Sequence, residues 1–177
     1  MDWIRLKRVL AVVAVCVLAT VLYSCRISIG LAPISSIDYN KVKTITIVDF
    51  ENHAEYVYGP LAIEFNQRLR DMFTQQTRLR LVDSGGDLEI SGEIIGYNQY
   101  NEAVDASGFS SKVKLTLTVR VDYVNNTNHE EDFTGQQFSA FQTYDSSQLL
   151  TSVQDGLIEV MVKDIAEQIF NSTVANW

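Results

Sequence analysis

The residues with the clearest chemical role are a cysteine and the three residues before it, Leu22-Tyr23-Ser24-Cys25. They follow the basic residues Arg5, Lys7 and Arg8 and an almost unbroken apolar run, Val9 to Tyr23. A basic start followed by roughly 15 apolar residues is typical of a secretory signal peptide and is short for a membrane-spanning helix. A cysteine directly after such a segment is the position at which bacterial lipoprotein precursors are acylated and cleaved. The predicted chemistry is therefore attachment of a lipid to this cysteine sulfur.

We expect residues 1–24 to be removed and Cys25 to become the lipidated first residue, carrying palmitate-type chains. An uncleaved signal anchor is the alternative, because Tyr23 is bulkier than the residue usual at that position. Two or more acyl chains anchor stably, since each buried methylene contributes about 0.8 kcal/mol and one chain is marginal. The residues after Cys25, Arg26-Ile27-Ser28-Ile29-Gly30, contain no acidic run. This favours the periplasmic face of the outer membrane.

A second group with chemical potential is a row of cations at alternate positions of one predicted strand. Lys112, Lys114 and Arg120 share its polar face. One interpretation is ordinary solubility or protection of a sheet edge. The other is a surface that binds phosphate groups or a partner protein. Arg78 and Arg80 alternate with leucines in the same way and allow the same two interpretations.

Residue types suited to catalysis or metal binding are not grouped in this sequence. The two histidines, His53 and His129, lie in predicted loops without a second histidine or cysteine at ligand spacing. Cysteine at position 16 lies in the segment to be removed, so no disulfide is expected in the mature chain. Neither a nucleophile motif nor a phosphate-binding glycine loop occurs. We therefore predict no metal, no cofactor and no enzymatic activity.

Net charge narrows the classes of partner. Removing residues 1–24 takes away three basic residues and one acidic residue, so the formal net charge falls from −8 to −10. Nucleic-acid binding requires a basic footprint, which argues against that class. The remaining 153 residues are enough for one domain with a substantial core.

The elements that must position these residues follow from hydrophobic periodicity. A buried strand is predicted from Lys41 to Phe50, and a helix from Gly59-Pro60 to about Gln76. Four strands follow this helix without another helix between them. The last predicted element is a helix from Ser146 or Ser147 to about Thr173. The four strands are predicted at Arg78–Asp83, its hairpin partner Asp87–Tyr97, Lys112–Val124 and 131–144, with 98–110 as a loop.

Glycines indicate where the strands depart from regularity. We expect Gly92 and Gly96 on the packed face of their strand, and a bulge at Gly135-Gln136-Gln137. The order β-α-β-β-β-β-α predicts an α+β fold with two helices on one face of a mostly antiparallel four- to five-stranded sheet. The other face would be open and polar. The predicted organisation is a signal peptide over 1–24, a lipidated tether over 25–40 and a single domain over 41–177.

Three stretches together resemble the LptE family of lipopolysaccharide-assembly lipoproteins. They are Thr44–Phe50 with the following helix, Leu79–Asp83 through Gly92–Tyr97, and Phe138–Phe141 with the terminal helix ending Val174-Ala175-Asn176-Trp177. This resemblance implies two helices on one face of the sheet and a lipoprotein at the outer membrane. There the protein would plug and support the large β-barrel translocon, bind lipopolysaccharide and assist its assembly. Only Cys25 carries over to a family position; Lys112, Lys114 and Arg120 are assigned from their own pattern.

A second family also fits the first strand and its continuation. Ile47-Val48-Asp49-Phe50-Glu51-Asn52 resembles the opening of periplasmic lipoproteins that activate cell-wall synthases or form secretion complexes. Those domains continue with strand–helix alternation, whereas four consecutive strands are predicted here. The sequence therefore favours the first family.

Overall fold

The computed structural model describes residues 37–56, 58–102 and 112–175, together with Trp3. The predicted cleavage motif, with Cys25 and most of the tether, lies outside these residues. Within the described ranges, no helix combines the length and apolar character needed to cross a membrane.

The described residues form six strands, two α-helices and one short 3-10 helix (His129–Glu131). In chain order the strands and α-helices are β1 (Thr44–Ile47), β2 (Glu51–Asn52), α1 (Gly59–Gln76), β3 (Arg80–Leu81), β4 (Leu88–Asn101), β5 (Lys112–Asn125), β6 (Phe133–Asp145) and α2 (Leu150–Thr173). The strands form one mixed sheet in the order β3-β1-β4-β5-β6, and β2 pairs with β4. Strand β1 is parallel to β3 and β4, whereas β4, β5 and β6 are antiparallel. The predicted α+β fold is confirmed; the strand predicted over Lys41–Phe50 is the shorter β1, and β2 lies just after its predicted end.

The predicted hairpin between β3 and β4 is wrong, because β1 lies between these two strands. The turn before β4 is bonded to β1 instead. The Asp87 carboxylate accepts hydrogen bonds from the backbone amides of Lys43 and Thr44 at 2.8 and 2.9 Å. The chain also passes so close to β1 that a Cβ at Gly86 would lie 2.7 Å from the Thr46 nitrogen. Because of these contacts, β4 pairs with the edge of β1 opposite to the edge that pairs with β3.

Both helices pack on the same face of the sheet. Helix α1 has the predicted bounds, with Pro60 in its first turn, where a missing N–H costs no hydrogen bond. Helix α2 begins at Leu150 rather than at the predicted serines, because Ser147 donates its backbone amide and hydroxyl to Asp145 in a turn. The helices meet through the rings of Phe73 and Phe170, whose centroids are 5.2 Å apart.

Two bulges set the phase of the long strands. The bulge predicted near Gly135 is confirmed, since the β5–β6 register shifts there and Gly135 has a φ of 69°. A second shift lies between Ile94 and Gly96. Because of it, Gly96 faces Thr118 on the polar side, so its predicted place on the packed face is wrong. Strand β4 also continues to Asn101, into the predicted loop; residues 103–111 are outside the described ranges.

Candidate functional site

The side of β4, β5 and β6 turned away from both helices is polar and solvent-exposed. Alternation along β5 places its even-numbered residues on this side and buries Leu115, Leu117, Val119 and Val121 beneath the helices. We call this surface the open face. It consists of Lys112, Lys114, Thr116, Thr118, Arg120 and Asp122 from β5, Glu93, Asn98 and Tyr100 from β4, and Gln137, Ser139, Phe141 and Thr143 from β6. An antiparallel sheet can leave such a face in water.

The open face brings Arg120 opposite Glu93 in the β4–β5 register. The Arg120 Nη1 lies 2.9 Å from Glu93 Oε1. The other Glu93 oxygen lies 2.6 Å from His53 Nδ1, and His53 Nε2 lies 3.2 Å from Glu51 Oε2. Arg120 is therefore part of an ionic cluster that also contains His53 and two carboxylates.

Titration in this cluster follows from its hydrogen bonds. The hydrogen bond to Glu93, followed by that to Glu51, raises the pKa of His53 above its ordinary value. The hydrogen bond from His53 lowers the pKa of Glu93, and the charge of Arg120 acts in the same direction. The ionised forms of these groups thus stabilise one another, and the positive charge of Arg120 is largely balanced.

The other end of the row has different chemistry. The Lys114 Nζ lies 3.9 Å from the centroid of the Phe141 ring, a cation–π contact. Tyr100 is the cross-strand neighbour of Lys114. Tyr100 and Phe141 are 56% and 54% exposed. Lysine 114 forms no salt bridge with any described residue. We call Tyr100, Lys114 and Phe141 the aromatic–cation patch.

Lys112 lies beside this patch and opposite Asp145 in the β5–β6 register. The pKa of Asp145 is lowered mainly by hydrogen bonds from Ser147, with a smaller contribution from the charge of Lys112. A strand rises about 3.4 Å per residue, so Lys112 and Arg120 lie roughly 27 Å apart. The predicted row is therefore two separate regions, and only Lys112 and Lys114 can meet one phosphate-sized group together.

The ionic cluster lines a shallow depression of about 370 Å³ that also includes Val48, Asp49 and Gly92. Within the described ranges, no group of three or more histidine, cysteine, aspartate and glutamate side chains has an arrangement that can hold a metal ion. The sequence places His53 in a predicted loop without a second ligand-type residue at close spacing, so it does not predict this cluster. Two pairings bring these residues together: the β4–β5 register sets Arg120 opposite Glu93, and the β2–β4 register sets Glu51 opposite Glu93, with the His53 amide bonded to the Ile94 carbonyl.

Four aromatic residues crowd the last strand, Phe133, Phe138, Phe141 and Tyr144, and this crowding favours core packing over a partner-binding stripe. Phe138 and Tyr144 are buried, but Phe141 is exposed. Phe141 lies on the opposite side of β6, paired with Thr116 of the open face. The predicted lipidation site Cys25 lies outside the described residues and stays a prediction.

Comparison with known families gives one match across most of the chain. Residues 42–173 match the family model described as LptE, lipopolysaccharide-assembly. No protein with a curated description matches the chain.

Solved structures have similar folds at low sequence identity. Rare lipoprotein B from Shewanella oneidensis is 12% identical, with a TM-score of 0.52, and the match covers 73% of this chain and 92% of that one. A hypothetical protein from Chlamydia trachomatis is 9% identical, also with a TM-score of 0.52, and the match covers 76% and 99%. At this level of identity the similarity establishes the fold alone.

Proposed function

The chain belongs to the LptE lipopolysaccharide-assembly family, and from this membership we propose that it plugs and supports the β-barrel translocon that delivers lipopolysaccharide to the outer membrane. Membership itself indicates an envelope lipoprotein associated with lipopolysaccharide transport. The barrel as direct partner, and the outer membrane as location, are the further steps of the proposal.

The observation that carries this proposal is the open face. Three long antiparallel strands present polar side chains to solvent, while both helices cover the other side. A hydrophilic barrel lumen would accept such a surface without burying charged groups in lipid. The charges of the ionic cluster are paired within the protein, so contact with a polar wall would leave no unpaired charge of this cluster buried.

The aromatic–cation patch, with Lys112, supplies the proposed contact with lipopolysaccharide. Ammonium groups bind phosphate oxygens through charge-assisted hydrogen bonds. The exposed rings of Tyr100 and Phe141 offer apolar faces next to that charge. The acidic net charge of the chain weakens long-range attraction of a polyanion, so we assign lipopolysaccharide contact to this patch alone and the main interaction to the barrel.

Anchoring and compartment complete the proposal. Lipidation of Cys25, after removal of residues 1–24, would hold the domain at the periplasmic face of the outer membrane through the tether over 25–40. The domain over 41–177 would then act by binding rather than by catalysis.

The decisive experiment isolates the tagged chain from detergent-solubilised cell envelopes and carries a photo-crosslinking residue at Thr116 on the open face. A matched chain carries it at Gln67, which is exposed on helix α1. We expect a large outer-membrane β-barrel to co-purify and to be cross-linked more strongly from position 116. Recovery of only a cell-wall synthase or a secretion component would overturn the proposal and favour the alternative family.

A further inference from the structure

Strand β6 forms one edge of the sheet along its whole length of 13 residues. No strand among the described residues pairs with its outer side. The opposite edge is very different, because β3 is only two residues long and contains Arg80. Short strands and charges are common ways in which proteins protect sheet edges from pairing with other chains. β6 therefore needs a separate explanation.

The register shows which backbone groups of β6 point outward. The amides of Glu102 and Asn126 bond to the carbonyls of Lys112 and Asp87, at the two ends of the β4–β5 pair. Together with the β4–β5 register, these two bonds show that the even-numbered residues of β5 direct their backbone N–H and C=O groups toward β4. The odd-numbered residues direct theirs toward β6. In β6, the residues opposite the even-numbered residues of β5 must then direct their backbone N–H and C=O groups outward, away from β5. From Gln137 to Thr143 these are Gln137, Ser139, Phe141 and Thr143; Asp145, opposite Lys112, follows them at the end of the strand.

One hydrogen bond supports this assignment independently. Gln168 of helix α2 donates from Nε2 to the Ser139 carbonyl at 3.2 Å. That carbonyl is the only outward group of the four residues with a described hydrogen-bond partner. A half-exposed glutamine side chain is easily displaced, so the edge offers four amides and up to four carbonyls to an added strand.

The usual defences of an edge strand are missing from this stretch. No charged residue and no proline occurs from Phe133 to Tyr144. The bulge at Gly135 lies before Gln137 and leaves the following residues in regular pairing with β5. A long, uncharged edge of this kind is a template for backbone pairing with another polypeptide.

Helix α2 adds a flank beside this edge that is apolar from Leu150 to Val160 and polar beyond it, at Asp164 and Gln168. Tyr58 contacts Asp155, and Arg68 contacts Glu159. These two contacts identify the side of α2 that faces α1. Helical spacing places the opposite side at Leu150, Val153, Leu157, Val160, Asp164 and Gln168. Val160 is 44% exposed, and Leu149, the residue just before the helix begins, is 76% exposed. A strand paired with β6 would turn every second side chain toward this flank.

We propose that the outer edge of β6, from Gln137 to Thr143, pairs with an extended segment of a partner protein, and that this segment is uncharged and has apolar residues at alternate positions. The edge carries no charge to select a basic or acidic segment, and the α2 flank is suited to apolar side chains. A second copy of the chain is a poorer occupant, because each mature chain has a net charge of −10 and two copies repel. For the identity of the partner, this inference rests on the proposed function.

The test compares proline with alanine at outward positions. Ser139→Pro and Phe141→Pro remove outward amides and leave the β5–β6 hydrogen bonds in place, since edge strands tolerate proline there. Ser139→Ala and Phe141→Ala keep the amides and serve as controls. We expect each proline variant to recover roughly tenfold less barrel from solubilised envelopes than its alanine control, the effect of losing one or two hydrogen bonds. A barrel recovered equally with both would overturn the strand-pairing proposal and leave the proposed function standing.

Amide hydrogen exchange separates the remaining outcomes. In the isolated chain we expect fast exchange at Ser139, Phe141 and Thr143 and slow exchange at Ala140 and Gln142. In the complex purified from envelopes, the outward amides should become protected. Continued fast exchange in the complex would overturn the proposal, whether or not the barrel is the partner. Protection of the outward amides in the isolated chain would also overturn the proposal in two cases. If the protection disappears when a dimer of the chain dissociates, the occupant is a second copy; if it disappears when residues 26–36 are deleted, the occupant is the tether.

Discussion

Arg120 lies directly opposite Glu93 across strands β4 and β5, with 2.9 Å between its Nη1 and the carboxylate oxygen. The same carboxylate is bonded to His53. A cation that appeared available in the sequence is therefore engaged within the protein. Lys114, by contrast, has a cation–π contact with Phe141 and no salt bridge with any described residue. The two residues should consequently differ in their contribution to anion binding.

We predict that Lys114→Ala weakens binding of purified lipopolysaccharide by about tenfold, the loss of one charge-assisted hydrogen bond. Arg120→Ala should change it less than twofold, because the guanidinium is already paired. Binding can be measured by fluorescence titration, with Lys163→Ala on helix α2 as a control. Equal losses from Lys114 and Arg120 would contradict the division of the row into two regions.

The His53–Glu93 pair predicts a defined pH dependence. His53 has a raised pKa, so its contribution to stability is complete below the ordinary value of 6.5 and is lost as the pH rises through the folded-state value. Glu93 has a lowered pKa, so its contribution is complete above 4.5 and is lost as the pH falls through its folded-state value. The pair should therefore stabilise the protein most between these two ordinary values.

NMR titration of the His53 ring tests this directly. We expect Glu93→Gln to lower the pKa of His53 toward 6.5, with Glu89→Gln on the same strand as a control that leaves it unchanged. The difference in melting temperature between the wild type and Glu93→Gln should shrink as the pH rises above 6.5. A His53 titration curve that is identical in the two variants would show that the ion pair does not form in solution.

The sequence predicts the local elements of this fold better than their pairing. Gly59-Pro60 and the apolar stripe of α1 determine a helix with little help from the rest of the chain, and strict alternation does the same for β5. The position of β1 between β3 and β4 depends on contacts between residues more than forty positions apart, such as Asp87 with Thr44. No local pattern encodes such a contact.

The candidate site follows the same division. That Lys112, Lys114 and Arg120 share a polar face was predictable from period-two alternation. Their partners were not, because the pairing of β4 with β5 sets Glu93 opposite Arg120, and the bulge at Ile95 shifts the register that sets Tyr100 opposite Lys114. The sequence therefore predicts the open face but not the ionic cluster within it.

Gly92 is a position where a side chain cannot be accommodated. A Cβ there would overlap the Arg120 carbonyl of β5 and the ring of Phe50, which is buried in the core between β1 and β2. We predict that Gly92→Ala lowers the free energy of unfolding by about 3 kcal/mol through overpacking. Gly156→Ala is the matched control, since a Cβ on this exposed helical glycine meets nothing within 4 Å. It should stabilise by about 0.5–1 kcal/mol; urea denaturation of both variants measures the contrast.

Asn66 connects helix α1 to the chain that follows β1. Its side chain accepts a hydrogen bond from the Phe50 amide at 2.8 Å and donates one to the Phe50 carbonyl at 3.1 Å. Asn66→Ala would leave both buried backbone groups unpaired, so we predict a loss of about 2–3 kcal/mol in urea denaturation. Gln67→Ala, one position along on the exposed side of the helix, should stay within about 0.5 kcal/mol of the wild type. Comparable losses in both variants would show that helix propensity, not the Phe50 contact, is being measured.

Substitution of Cys25 tests whether the predicted lipid anchor determines location independently of the folded domain. We predict that Cys25→Ser moves the chain from the outer-membrane fraction to the soluble or inner-membrane fraction, because acylation requires the thiol. The unfolding midpoint of the domain should not change, since position 25 lies before its first strand. Fractionation with immunoblotting, together with thermal unfolding of the purified variant, measures both. An unfolded variant would mean that this cysteine has a structural role; retention at the outer membrane would mean that binding to the barrel alone is sufficient for localisation.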